Sequence, residues 1–134
     1  MNLLNPDDLP RAVGFSHVAL PGKGEPIIIA GQTGHHPDGS LDEGMVAQFA
    51  AACRNVEKAL AAASARPQHV ASLQILVTDV GAYRAALPEL GEAYRSVFGR
   101  HFPAMTLIGV SELFDPKAVV ELVAIGYRDQ DTQP

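Results

Sequence analysis

Apolar residues recur along the chain with two different periods, and each period predicts a kind of element. Ala12 to Leu20 reads as a short strand, stopped by the turn signal Pro21-Gly22-Lys23-Gly24. Pro26-Ile27-Ile28-Ile29-Ala30-Gly31 reads as a second strand. Its unbroken apolar run suggests burial on both faces, and the two strands are expected to pair as a hairpin. The loop His35-His36-Pro37-Asp38-Gly39 follows, with Asp-Gly as its turn signal. Ser40 and Glu43 stand at capping-box spacing. From there Val46, Phe49, Cys53, Val56 and Leu60 recur at three- and four-residue steps, which predicts a long amphipathic helix with one buried stripe. Gln48, Arg54, Glu57 and Lys58 fall on its other faces; Ala61 to Ala63 extend it and Arg66-Pro67 ends it.

The second half continues in the same manner. Val70 to Thr78 is a strand rich in branched residues. Asp79 is placed to cap a helical stretch that Pro88 restarts at a first-turn position. Leu87, Leu90, Tyr94 and Val97 give its apolar stripe, and Gly99 its stop. Pro103 precedes a strand from Ala104 to Ser111, Asp115-Pro116 makes a turn, and Ala118 to Tyr127 is the last strand. The order β-β-α-β-α-β-β predicts an α+β sandwich, a sheet with two helices on one face. The opposite face is rich in Val, Ile and Leu and would lie bare in a single copy, so oligomerisation is expected. No linker or repeat divides residues 1–134, which read as one domain with terminal extensions over about 1–10 and 129–134.

Composition narrows the class. A hydrophobic fraction of 47% with 19% charged residues excludes an intrinsically disordered chain. A net charge of −5, no Trp and only three Tyr and five Phe argue against a nucleic-acid partner, which needs basic and stacking surfaces. The single cysteine, Cys53, permits no internal disulfide and suits a reducing cytoplasm. The N-terminal segment lacks the basic and apolar regions of a signal peptide, and no apolar run is long enough to span a membrane.

Glu121 is the most informative residue for chemistry. Strand alternation puts it on one face with Val119, Val123 and Ile125, where a carboxylate needs either a partner or a task. It reads as a general acid or base, or as a strand-edge Glu that reaches solvent or pairs with a neighbouring subunit. Ala30-Gly31-Gln32-Thr33-Gly34 ends a strand where backbone N–H groups can approach a ligand, or is simply a tight exit turn. His35 and His36 lack the Cys or spaced carboxylates of a metal site and read as loop decoration, so no metal is expected. His69 and His101 flank strands and read as structural. Cys53 falls in the helix stripe as a small core hydrophobe, and no serine has a nucleophile-elbow context.

Several segments together resemble the RidA family, also called YjgF/YER057c/UK114. They are Gly14-Phe15-Ser16-His17, Ile29 to Thr33, the helix around Gln48 to Leu60, Leu76-Val77-Thr78-Asp79, Tyr94 to Phe98, Phe102-Pro103-Ala104 and Val120 to Ile125. The resemblance implies a chorismate-mutase-like α+β fold in a trimeric barrel, with ligand clefts between subunits. It also implies cofactor-free hydrolysis of reactive imines and enamines to keto acids and ammonia. Gly31 matches the family's cleft glycine and Glu121 its water-orienting glutamate. The family's carboxylate-binding arginine falls on Met105, its cleft tyrosine near Phe15 or Ser16, and a polar helix position on Gly91, so the polar half of the usual site is largely replaced. The expected site is catalytic Glu121 assisted by His17, with Phe15, Ser16, the Gly31-Gln32-Thr33 backbone, Gly91, Met105, Thr106, Leu107 and Phe114 binding a small substrate. With Met105 at the arginine position, the expected activity is cofactor-free hydrolysis of a small imine- or enamine-type or related metabolite, not the standard arginine-dependent 2-imino-acid deamination; the competing expectation is a non-catalytic trimer that binds a small ligand or partner, and ribonuclease activity is the remote third.

Overall fold

In the computed structural model, which describes residues 1–129, the last strand, β6 (Val120–Arg128), alternates in burial. Val120, Leu122, Ala124 and Gly126 are buried, while Glu121, Val123, Ile125 and Tyr127 are half-buried on the opposite face. β6 is a central strand. It pairs antiparallel with β3 (Glu25–Ile28) on one side and with β4 (Val70–Val77) on the other. β4 in turn pairs in parallel with β5 (Ala104–Gly109), giving the order β3-β6-β4-β5.

Three helices cover one face of this sheet: α1 (Met45–Ala62), α2 (Val80–Ala85) and α3 (Leu87–Phe98). The stripe read from the sequence is the one buried, with Phe49, Cys53, Val56 and Leu60 at 1% exposure or less. They pack on Leu73, Ile75, Val77, Leu122 and Ala124 of the sheet and on Leu90, Tyr94 and Phe98 of α3. Asp79 caps α2, accepting from the Ala82 N–H at 3.0 Å, and Pro88 sits in the first turn of α3. Two short strands, β1 (Asn2–Leu4) and β2 (Val18–Leu20), pair antiparallel as a separate ribbon.

Four expectations change. The first two strands of the sequence reading do not form a hairpin; β2 pairs with β1 and β3 pairs with β6, some 100 residues away. Residues 2–4, expected in an extension, contribute a strand, while most of the expected 129–134 extension lies outside the described residues. The second strand is not buried on both faces, because Ile28 on its open side is 74% exposed while Ile29 is buried. Ser40 and Glu43 do not cap α1. Its N-cap is Gly44 at φ 95°, a left-handed conformation that favours glycine, and Ser40 instead bonds Asp38 within its own turn.

Gln48 is the fifth difference. It lies off the apolar stripe, yet it is only 2% exposed. Its Nε2 donates to the carbonyls of Asp42 (2.9 Å) and Lys117 (3.0 Å), and its Oε1 accepts from the Val119 N–H (2.8 Å). One amide thus pairs with three backbone groups from two separate loops, and its own buried donors and acceptor are satisfied. Replacing it with Leu should lower unfolding stability by about 2–4 kcal/mol, read by urea denaturation at fixed protein concentration. A loss under about 0.5 kcal/mol, the scale of an ordinary surface substitution, would contradict this role.

Candidate functional site

Glu121 lies at the end of the sheet's open face. Paired residues across a sheet share a face, so Leu76 and Ile108, in register with it, stand beside it there. Thr106 lies in the next row, with Gln74 and Val123. Gly31 completes this corner. A Cβ at Gly31 would stand 2.7 Å from Glu121 Oε2 and 2.8 Å from its Cδ, so the carboxyl group occupies the space that any other residue would fill. The adjoining chain is pinned by Gln32, whose N–H and carbonyl exchange 2.8 Å bonds with Leu122. Glu121 forms no ion pair with Lys, Arg or His among the described residues.

Met105 is elsewhere. It is in register with Leu73 and Ala124, which face the helices, so the sheet itself separates it from Glu121. It lines a cleft of about 490 Å³ between β5 and α3, together with Gly14, Tyr83, Leu90, Gly91 and Phe102. That volume is within the usual range for small-molecule sites, roughly 300–1,000 Å³. The wall is mostly apolar, and Tyr94, whose ring stacks on Phe98 and Phe102, spends its hydroxyl on the His101 carbonyl at 2.6 Å. Burial pushes the Tyr83 and Tyr94 hydroxyls above the ordinary tyrosine range, so both stay neutral donors. Leu107 shares Met105's side of β5 but is 41% exposed at the sheet edge.

The other candidate residues divide between these places. Ser16 is buried and its N–H donates to the Pro103 carbonyl at 3.0 Å, which lays the first segment beside the start of β5. Val13 and Gly14 of that segment line the cleft, rather than Phe15 and Ser16. His17 donates from Nε2 to the Pro10 carbonyl (2.7 Å), its backbone N–H goes to Asn5 Oδ1 (2.8 Å), and Phe15 meets its ring edge-on. The structure does not bring His17 to Glu121. Phe114 is fully exposed on the loop before β6 and lines neither place.

His35, read as loop decoration, has a structural task that its sequence context did not signal. Thr33 Oγ1 donates to its Nδ1 at 2.5 Å, and its Nε2 donates to Asp115 Oδ2 at 2.8 Å. This fastens the loop after Gly31 to the loop before β6. The Lys117 backbone N–H and His35 together hold the Asp115 carboxyl below the usual carboxylate range. His36 pairs at the surface with Asp42. No group of three or more His, Cys, Asp or Glu among the described residues is arranged to hold a metal.

Comparison with known proteins gives a consistent result. The family model described as endoribonuclease L-PSP matches residues 7–127. A RutC family protein of Aquifex aeolicus is 30% identical over 103 residues, covering 74% of this chain and 79% of that protein. The crystal structure of a conserved Rid family protein from Yersinia pestis superposes with a TM-score of 0.85 at 27% identity, covering 95% of this chain and 98% of that one. A YjgF/YER057c/UK114 family member from Mycobacterium tuberculosis superposes with a TM-score of 0.65 at 30% identity, over 87% and 88% of the two chains.

Cys53 is removed from any of this chemistry. It is fully buried in α1, and burial pushes its thiol up to about 12. At pH 8 the thiolate population is negligible. The native protein should resist a thiol-specific reagent such as DTNB and react with one equivalent after denaturation; rapid native labelling would contradict the packing described.

Proposed function

The chain belongs to the endoribonuclease L-PSP family, the YjgF/YER057c/UK114 or Rid group, and from that premise we propose that it is a cofactor-free homotrimeric hydrolase of small reactive imines or enamines. The observation that carries this reading is the seat of Glu121. Its carboxylate rests against Gly31 on an open face, without a cationic partner among the described residues. A carboxylate left free in that way is available to accept a proton from water.

In the proposed reaction an enamine first tautomerises to its imine. Glu121 takes one proton from water as the water oxygen bonds to the imine carbon. The C=N π pair moves onto nitrogen, which takes that proton back from Glu121. The carbinolamine then collapses: its hydroxyl gives up a proton to nitrogen, the C–N bond breaks, ammonia leaves and a carbonyl remains. One water is consumed and no electrons are exchanged. The endoribonuclease label of the family is disfavoured for this chain by its charge of −5.

Assembly supplies what one copy lacks. Glu121 and Met105 face opposite sides of the sheet, so a site that uses both draws them from two copies. The open face offers Ile28, Leu76, Ile108, Val123 and Ile125 for burial against a neighbour. The second reading, a ligand-binding trimer without catalysis, is favoured by Met105 alone, since a thioether cannot pair with a substrate carboxylate.

Sedimentation equilibrium should give three times the chain mass, and Val123→Asp should shift it toward one. Imines generated in situ by an amino-acid oxidase should be cleared with release of keto acid. Glu121→Gln should reduce kcat/KM by about 10²–10⁴-fold with the trimer intact. Gly31→Ala, which crowds the carboxylate, should reduce it by about 10–100-fold. Equal turnover by Glu121→Gln would overturn the role given to that residue, and ligand retention without turnover would favour the second reading.

A further inference from the structure

The cleft beside Met105 has a cation at its rim. Arg95 lines the cleft from α3, one turn after Gly91. A Cβ at Gly91 would stand 3.0 Å from Arg95 Nη1, so the guanidinium lies folded back over the bare backbone of Gly91. This pose points it away from the last carbonyls of α3, so it is not there to neutralise the helix end. Neither Glu89 nor Glu92 of the same helix forms an ion pair with it among the described residues. A glycine inside a helix weakens it relative to alanine, which calls for a packing reason, and the guanidinium supplies one.

We infer that Arg95, seated on Gly91, is the carboxylate anchor of this site, and that the cleft beyond it selects monocarboxylates carrying a bulky apolar or aromatic tail. The inference deepens the hydrolase reading and rests on it for the reaction, though not for binding. A planar guanidinium offers paired N–H donors to a carboxylate. Met105, Leu90, Phe102 and the faces of Tyr83 and Tyr94 supply apolar surface for the tail. Met105 takes part by shape, as an adaptable thioether that fits an irregular tail. Charge at the rim and apolar wall within place the tail inward and the carboxylate outward.

The test uses an unreactive ligand series and the full-length protein in isothermal titration calorimetry. Wild type should bind 3-phenylpropionate at least about tenfold more tightly than propionate and than the neutral 3-phenylpropanamide. Arg95→Gln should weaken 3-phenylpropionate by about 10–100-fold and leave the amide unchanged, while Arg95→Lys should recover part of the loss. Gly91→Ala, with the better helix former, should keep the fold yet weaken the acid by displacing the guanidinium. Failure of wild type to bind the acid, equal binding by Arg95→Gln, or equal affinity for acid and amide would overturn the anchor. Equal affinity for propionate would overturn the tail. These ligands cannot be hydrolysed, so a failed anchor appears in binding, whereas a failed hydrolase reading appears only in the turnover of Glu121→Gln.

Discussion

The position of the candidate carboxylate depends on one buried amide. Gln48 ties the segment leading into α1 to the start of β6 through the Asp42 and Lys117 carbonyls and the Val119 N–H. Glu121 stands two residues beyond Val119. On its other side the helix touches the loop after Gly31, because Gly34 packs so closely that a Cβ there would stand 2.5 Å from the Gln48 carbonyl oxygen. Asn55, two turns along, donates to the Thr33 and His35 carbonyls at 2.8 and 2.9 Å. So α1 holds both sides of the Glu121–Gly31 corner. A buried polar group with every partner in place fixes one arrangement, because any slip leaves several groups unpaired at once.

Pleating sets the second constraint. Successive side chains on a strand point to opposite faces, so residues separated by an odd count cannot share a pocket on the same strand. The sheet therefore assigns Glu121, Thr106 and Ile108 to one face, and Met105 and Leu107 to the other. A single layer cannot offer both sets to one ligand. The half-buried apolar row on the open face and the distribution of polar groups over both faces thus argue for the same thing, a neighbouring copy laid against this one.

Local signals were legible in the sequence and long-range ones were not. The α1 stripe, the Asp79 cap, the Pro88 restart and the Gly99 stop each depend on residues within a turn or two, and each stands as the pattern implies. The pairing of β3 with β6 joins segments about 100 residues apart, and nothing local distinguishes it from a hairpin with β2. Gln48 falls off the apolar stripe, and its partners at 117 and 119 are invisible to helical periodicity. Glu121 and Gly31 were found individually, but only coordinates show that one fills the space the other leaves. Arg95 falls within the Tyr94 to Phe98 segment that carries the resemblance, but the sequence alone gives it no role. Its signal was present as a helix-interior glycine four residues before an arginine, the spacing at which side chains on a helix meet.

That pair also resolves an apparent conflict between composition and chemistry. A chain of net charge −5 repels anions at long range, and Met105 removes one means of holding them. At physiological ionic strength, however, exposed charges are screened beyond about 8 Å, so the distant carboxylates count for little at the cleft mouth. What remains is local: a guanidinium without a carboxylate partner among the described residues, beside a largely apolar wall. Small hydrophilic anions gain only the first of these, and neutral apolar molecules only the second. A ligand that gains both must be charged at one end and apolar at the other.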